Sequence, residues 1–330
     1  MSSLKGRRVV FRDRGTVDIE EFEVPKPRSD QILIKTICSL ISPGTETAFL
    51  MALPNTPQKF PQYPGYSNVG VIEEIGEDVE GFRPGELVVS PTPHSSHVLA
   101  RSDQVLRVPK GLSAEEAAFF NLASISLQGV RKGFIELGSS VVVVGQGLVG
   151  QLALQLARLN GGFPVIAVDL IDWRLEVSVK HGADYVINPS KVNAIEEVKR
   201  LTNGRGADVV IEATGNPNAI PMALEMARRL GRVVILGSPR GVSTVNFYTL
   251  VHRKGLIIIG AHTIIRPECE SLPHYWTEKD DMKLVLELIA RGRLRVKDYI
   301  SLRLPIEKVS DTYKSLIMRK EGVLGILLYY

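Results

Sequence analysis

The chain lacks most features that would tie it to a special compartment or a covalent scaffold. Among its 330 residues there are only two cysteines, Cys38 and Cys269, and no CxxC pair. That argues against a disulfide framework and excludes a four-cysteine zinc lobe. No apolar run approaches the ~18 residues of a membrane-spanning helix. The N-terminus, MSSLKGRRVVFRDRG, is charged and has no apolar core of a secretory signal, so a cytoplasmic location is expected. Aromatic residues are scarce, at 6%, and no basic tail is interleaved with them. The net charge of +4 comes from scattered groups such as Arg228-Arg229 and RGRLRVK (291–297), the pattern of a solvated face. Neither nucleic acid nor membrane is therefore an expected partner. A mildly basic surface suits an anionic substrate or cofactor instead.

What is present is an ordinary globular composition, 44% hydrophobic and 23% charged, in a length that suits about two domains of roughly 150 residues. Residues 1–110 read as short strands, RRVVF, QILIKTI, VGVIEEIG, ELVVS and HVLA, between Pro/Gly-rich joints. Alternation in VGVIEEIG predicts a half-buried antiparallel sheet. Ser113 and Glu116 form a capping-box pattern that opens a helix, and the rhythm then changes. VVVVG (141–145), PVIAVD (164–169), ADYVI (183–187), ADVVIEATG (207–215), RVVILGS (232–238) and GLIIIGA (255–261) are apolar strands, with helices following them. Such strands predict a parallel sheet covered on both faces. The tail, two helices (DMKLVLELIARG and PIEKVSDTYKSLIMRK) and a strand (GVLGILLYY), does not extend this series. It is expected to return to the first domain. The fold class is α/β, with residues 1–117 and 268–330 forming a discontinuous first domain and 118–267 the second.

A nucleotide site is written in the second domain. Gly145, Gly147 and Gly150 form a G-x-G-x-x-G between the all-valine strand and a helix opened by Leu148 and Val149. The first glycine permits the tight turn, the second lets backbone approach a pyrophosphate, and the third allows close helix–strand packing. The helix N-terminus offers free N–H groups to the phosphates. Asp169 ends the next strand, 19 residues beyond Gly150; a carboxylate there accepts the ribose hydroxyls and repels a 2′-phosphate, which favours NAD. Arg174 would suit a 2′-phosphate, but its spacing puts it at the start of the following helix. Thr214, Gly215, Gly237, Ser238 and His262 follow the carboxyl ends of later strands, where ligands of such sheets bind. Arg240 and Arg266 also follow strand ends, either as contacts for an anionic ligand or as solvated loop residues.

Together these segments resemble the medium-chain dehydrogenase/reductase family, the alcohol, threonine and sorbitol dehydrogenase relatives, over nearly the whole chain. The resemblance implies a GroES-like β-rich catalytic domain and a Rossmann doubly wound parallel sheet. QILIKTICSLISPGTE is similar to the family's strand leading into Cys-Gly-Thr-Asp, PGYSNVGVIEEIGEDVEGFRPGELV to its Gly-His-Glu segment, and NLASISLQGV to a segment that supplies a further glutamate. At each implied zinc position this chain differs: Ser42 or Pro43 for cysteine, Tyr66 for histidine, Ser67 for its neighbouring glutamate, and Asn121 for the downstream glutamate. Hydroxyl, phenol and carboxamide are poor zinc ligands, so no metal is expected. A site rebuilt around His94 and His97 would need a turn, since a strand points residues three apart to opposite faces.

The expected activity is NAD-dependent hydride transfer between nicotinamide and a hydroxyl or carbonyl substrate, a sugar, polyol or other secondary alcohol, without catalytic zinc. The candidate catalytic set is Tyr66, Thr45, Glu46, Asn121, Ser42 and His94. Zinc-free C=C or quinone reductases of the same family are the alternative, against which stand Asp169 and this polar set; a non-catalytic nucleotide-binding protein is a third reading. The apolar strand GLIIIGA is an expected sheet edge, a pairing hazard unless covered, so a homodimer or homotetramer is expected.

Overall fold

The structure, a computed structural model, describes residues 4–318 and 322–330. The first three residues of the charged N-terminus, and Arg319-Lys320 at the end of the expected last helix, lie outside it. The chain divides into two compact units, Met1–Asn121 with Lys283–Tyr330, and Leu122–Met282. No helix among the described residues is long and apolar enough to cross a membrane.

Unit 2 is a six-stranded parallel sheet. Its strands in chain order are Val141–Val144, Val165–Val168, Tyr185–Ile187, Ala207–Glu212, Ala227–Ile235 and Ile257–Gly260, and they lie side by side in the order three, two, one, four, five, six. This is the dinucleotide-binding arrangement, with its ligand crevice where the order reverses between the first and fourth strands. All four valines of the first strand are buried, and so is every residue of Val165–Val168. Continuous apolar runs stand here because helices cover both faces. Segment 268–282 belongs to this unit because Asp281 accepts from Arg131 Nε at 2.9 Å and the Arg131 guanidinium lies 3.6 Å from the centre of the Trp276 ring. Ile257–Gly260 is one edge of the sheet, and its Ile257 and Ile258 are exposed.

Unit 1 holds a hairpin, Lys5–Asp13 with Thr16–Glu23, and a seven-stranded mainly antiparallel sheet. The expected strands of residues 1–110 all form. The hairpin's second strand, with its polar alternation TVDIEEFE, was not legible in advance. Gln31–Ile41 organises the sheet. One side pairs with Asn68–Ile75. Residues 31–35 of the same strand pair with His97–Arg101, and residues 38–41 with the C-terminal strand Gly325–Tyr329. One strand thus serves two neighbours in succession, and the junction falls beside Ser39. Ser113 caps the helix Ala114–Ala117, accepting from Glu116 N at 3.2 Å and donating to Glu116 Oε2 at 2.6 Å. The core packs Phe11, Ile41, Leu50, Ile306, Tyr313 and Ile326 together.

Candidate active site

In unit 2 the glycine-rich loop has the geometry its spacing implies. Gly145 sits at φ +90°, and its N–H donates to Val168 O at 2.7 Å. Gly150 packs so tightly that a Cβ there would lie 1.8 Å from Gly145 O, whereas a Cβ on Gly147 would meet open space. Gly147 is also the N-cap of helix Leu148–Leu159, and no side chain caps it. The first helical N–H groups therefore face a clear approach, the arrangement that receives a phosphate. Leu148 and Val149 form that first turn, and Val149 O accepts from Ser126 Oγ at 2.9 Å.

Asp169 closes the second strand. Its Oδ2 accepts from Gln146 N at 2.6 Å and Oδ1 from Ile171 N at 2.9 Å, so the carboxylate is locked to the glycine-rich loop with lone pairs to spare. Arg174, inside helix Asp172–Lys180, approaches Asp169 at 3.9 Å.

The EATG and GSP loops interlock at the carboxyl ends of the fourth and fifth strands. A Cβ on Gly237 would meet Gly215 N at 2.4 Å, and one on Gly215 would meet Ser238 O at 3.0 Å. Glu212 is wholly buried, and burial pushes its carboxyl above the usual range; it accepts from Thr214 N at 2.7 Å and from the Thr214 hydroxyl. Thr214 in turn rests against Gly145. His262 accepts from Ile264 N through Nδ1 at 3.2 Å. Arg240 donates its backbone N–H to Gly215 O at 3.0 Å. Arg266 is no solvated loop residue. It is buried and donates to Gln128 Oε1 at 3.1 Å, Ser124 Oγ at 2.9 Å and Ser124 O at 2.7 Å.

In unit 1 the polar candidates separate into two groups. Glu46 and His94 are sealed inside: Glu46 is 2% exposed and His94 0%. Glu46 Oε1 accepts from Ser42 N at 2.6 Å; Oε2 accepts from His94 Nε2 at 2.9 Å and from the Tyr313 hydroxyl. His94 Nδ1 lies 2.7 Å from Ser39 Oγ, which lies 2.7 Å from the Tyr330 hydroxyl. Ser39, His94 and Glu46 have the connectivity of a nucleophile triad, but none of them reaches solvent, so the chain of bonds cannot itself attack a substrate. Ser39, Tyr313 and Tyr330 were missed in the sequence. The one signal was Tyr313 on the core-facing stripe of its helix, where a buried phenol requires a partner. The second group mixes half-buried and buried residues. Tyr66 and Thr45 are half-buried, and Asn121 donates from Nδ2 to Tyr66 O at 2.6 Å. Ser42 caps helix Pro43–Leu50 by position without a side-chain bond, and Ser67 Oγ is buried with no partner.

Residues 149–273 match the family model described as zinc-binding dehydrogenase. An L-threonine 3-dehydrogenase of Pyrococcus horikoshii is 30% identical over 74% of this chain and 78% of its own length. The chain belongs to the zinc-binding dehydrogenase family. A D-guloside 3-dehydrogenase of Shigella flexneri is 32% identical over 70% of this chain and 67% of its own. The crystal structure of galactitol-1-phosphate dehydrogenase from Escherichia coli shares the fold, with a TM-score of 0.86 over 98% of this chain and 100% of the other at 19% identity. Other solved structures of this fold hold NADH or NADP. This zinc-binding dehydrogenase is an oxidoreductase, and the cradle of Gly145, Gly147 and Gly150 has a geometry that fits a pyridine nucleotide: an open helix N-terminus for a pyrophosphate and an acid at the end of the second strand. Its donor set fits zinc poorly. Among the described residues no group of three or more His, Cys, Asp or Glu could hold a metal ion. His97 lies in a strand, 3.4 Å from Glu73, while His94 faces Glu46. Cys38 is buried, which pushes its thiol up to about 12 and keeps it protonated.

Proposed function

We propose that this dehydrogenase oxidises a secondary hydroxyl of a sugar- or polyol-like substrate with NAD, and that it does so without a catalytic zinc. The observation that carries the reading is the fate of Glu46. It is the one carboxylate in the Ser42–Glu46 segment, and it is spent on Ser42, His94 and Tyr313. Tyr66, Ser67 and Asn121 supply a phenol, a hydroxyl and a carboxamide, none of which is a good lone-pair donor to zinc. The threonine and guloside dehydrogenases both bear names of hydroxyl-bearing substrates, which supports the substrate class. NAD is favoured over NADP by the carboxylate of Asp169, whose place next to the glycine-rich loop is that of a ribose-hydroxyl acceptor.

The bound nicotinamide supplies hydride acceptance. The chain's own task is to hold the reacting carbon, orient its oxygen and receive the proton that leaves as hydride departs. We assign Tyr66 to that oxygen, with Thr45 and Asn121 beside it in sequence role: the half-buried phenol hydrogen-bonds the oxygen, and Asn121 fixes the Tyr66 backbone. In oxidation the proton of the substrate hydroxyl passes to Tyr66 in its phenolate form as the hydride departs, leaving the neutral phenol. A free phenol has a pKa of ~10, so a positive charge beside Tyr66 is needed to populate that form. Two copies pairing at Ile257–Gly260 complete the reading, since that exposed edge carries unpaired backbone groups. The test is NAD reduction across a panel of sugars, polyols and secondary alcohols, run beside NAD(P)H oxidation with enones and quinones. Turnover confined to enones or quinones contradicts the hydroxyl reading, and no turnover on either panel contradicts catalysis.

A further inference from the structure

The segment Pro64–Ser67 carries Tyr66, and what seats it is His94. The His94 backbone bridges two parts of unit 1: its N–H donates to Pro64 O at 2.8 Å, and its carbonyl accepts from Val9 N at 2.9 Å. Gly65, at φ +99°, lies so close to the imidazole that a Cβ would stand 2.7 Å from His94 Cγ. The ring is thus the surface on which the backbone entering Tyr66 rests. That ring cannot turn, because both nitrogens are engaged. A carboxylate only accepts, so Nε2 donates toward Glu46 at 2.9 Å, and Nδ1 pairs with Ser39 Oγ at 2.7 Å. Ser39 Oγ also pairs with the Tyr330 hydroxyl at 2.7 Å, and Tyr313 donates to Glu46. Every polar atom of the chain of bonds has a partner, the condition under which a buried network specifies one geometry.

We infer that His94, oriented by Glu46 and Ser39, is a positioning residue that sets Tyr66. The inference rests on the reading of Tyr66 as the group that meets the substrate oxygen. His94 is wholly buried and acts only through the Pro64–Gly65 backbone. A hydrogen-bonded chain then holds the loop at the positions where the family resemblance implies metal donors.

The test uses the full chain labelled with 3-fluorotyrosine, with the Tyr66 resonance assigned by Tyr66→Phe. His94→Gln can reach Glu46 or Ser39 but not both, and it removes the flat ring beneath Gly65. The expected result is a shifted or broadened Tyr66 resonance, unchanged NADH affinity, and a kcat lower by roughly 10- to 100-fold, the scale of a small misplacement of a reacting group. His94→Gln/Tyr66→Phe should be no slower than Tyr66→Phe alone, because the two act as one unit. An unmoved Tyr66 resonance, or losses that multiply in the double variant, overturns the inference. Should Tyr66→Phe leave kcat unchanged, the role given to Tyr66 fails, and the fluorine signal still decides whether His94 sets it. If His94→Gln does not fold, Ser39→Ala, which keeps the ring and its bond to Glu46 but frees Nδ1 and the Tyr330 hydroxyl, replaces it, and an unmoved resonance there overturns the inference as well.

Discussion

Glu46 Oε2 and His94 Nε2 lie 2.9 Å apart in the interior of unit 1, and neither side chain reaches solvent. A buried carboxylate is costly unless hydrogen-bond donors meet its oxygens. Here Ser42 N–H meets Oε1, and the imidazole and the Tyr313 hydroxyl meet Oε2. That pairing turns two expected proton acceptors into parts of the scaffold and leaves Tyr66 and Thr45 as the half-buried candidates.

Tyr66→Phe keeps the ring and deletes the hydroxyl. If the phenol handles the proton of the substrate oxygen, kcat should fall by ~10²–10⁴, the range for a general acid–base group. Steady-state kinetics with a substrate from the polyol panel checks this, and an unchanged kcat makes Tyr66 a lining residue.

Asp169→Ala should weaken NAD binding and relax discrimination against NADP, since the carboxylate is what would repel a 2′-phosphate. Fluorescence titrations of both reduced cofactors on both proteins measure it. Wild-type affinity for NADPH equal to or above that for NADH would remove the assignment. Arg174, 3.9 Å from Asp169, is the group that would then be exposed to the phosphate.

Ile258→Lys should convert the protein to a monomer. Ile257 and Ile258 are exposed on the outermost strand, and a lysine on an edge strand blocks pairing with another copy. Light scattering at micromolar concentration reads the mass, and a monomeric wild type contradicts the expectation.

A pH dependence follows from Glu115. Arg303 donates to it from two nitrogens at 2.7 and 2.8 Å, the Tyr329 hydroxyl adds a third bond, and the carboxyl is held down at about 2. Its folded-state value lies below the unfolded one of about 4.5, so the stabilisation is present above that value and is lost as pH falls toward 2. Arg303→Gln should lower Tm at pH 7 and flatten the decline of Tm between pH 5 and pH 3. Parallel Tm curves for the two proteins would contradict it.

Much of this was legible in the sequence. The strand–glycine–helix–acid order of residues 141–169 located the tight turn and the open helix N-terminus, because backbone approach and tight packing demand glycine at fixed offsets. The buried parallel strands announced themselves as unbroken apolar runs. The network around His94 was not legible, because its members Ser39, Glu46, His94, Tyr313 and Tyr330 are far apart in the chain and meet only where Gln31–Ile41 changes neighbours. The same holds for Arg266: its place after a strand end suggested a ligand contact, but partners from a preceding helix, Ser124 and Gln128, take up its guanidinium.

The most direct measurement is metal content set against activity. Purified protein should carry well under one zinc per chain, and dialysis against a chelator should leave its NAD-dependent turnover of a polyol unchanged. About one zinc per chain, with activity lost on its removal and restored by adding zinc back, would contradict the account.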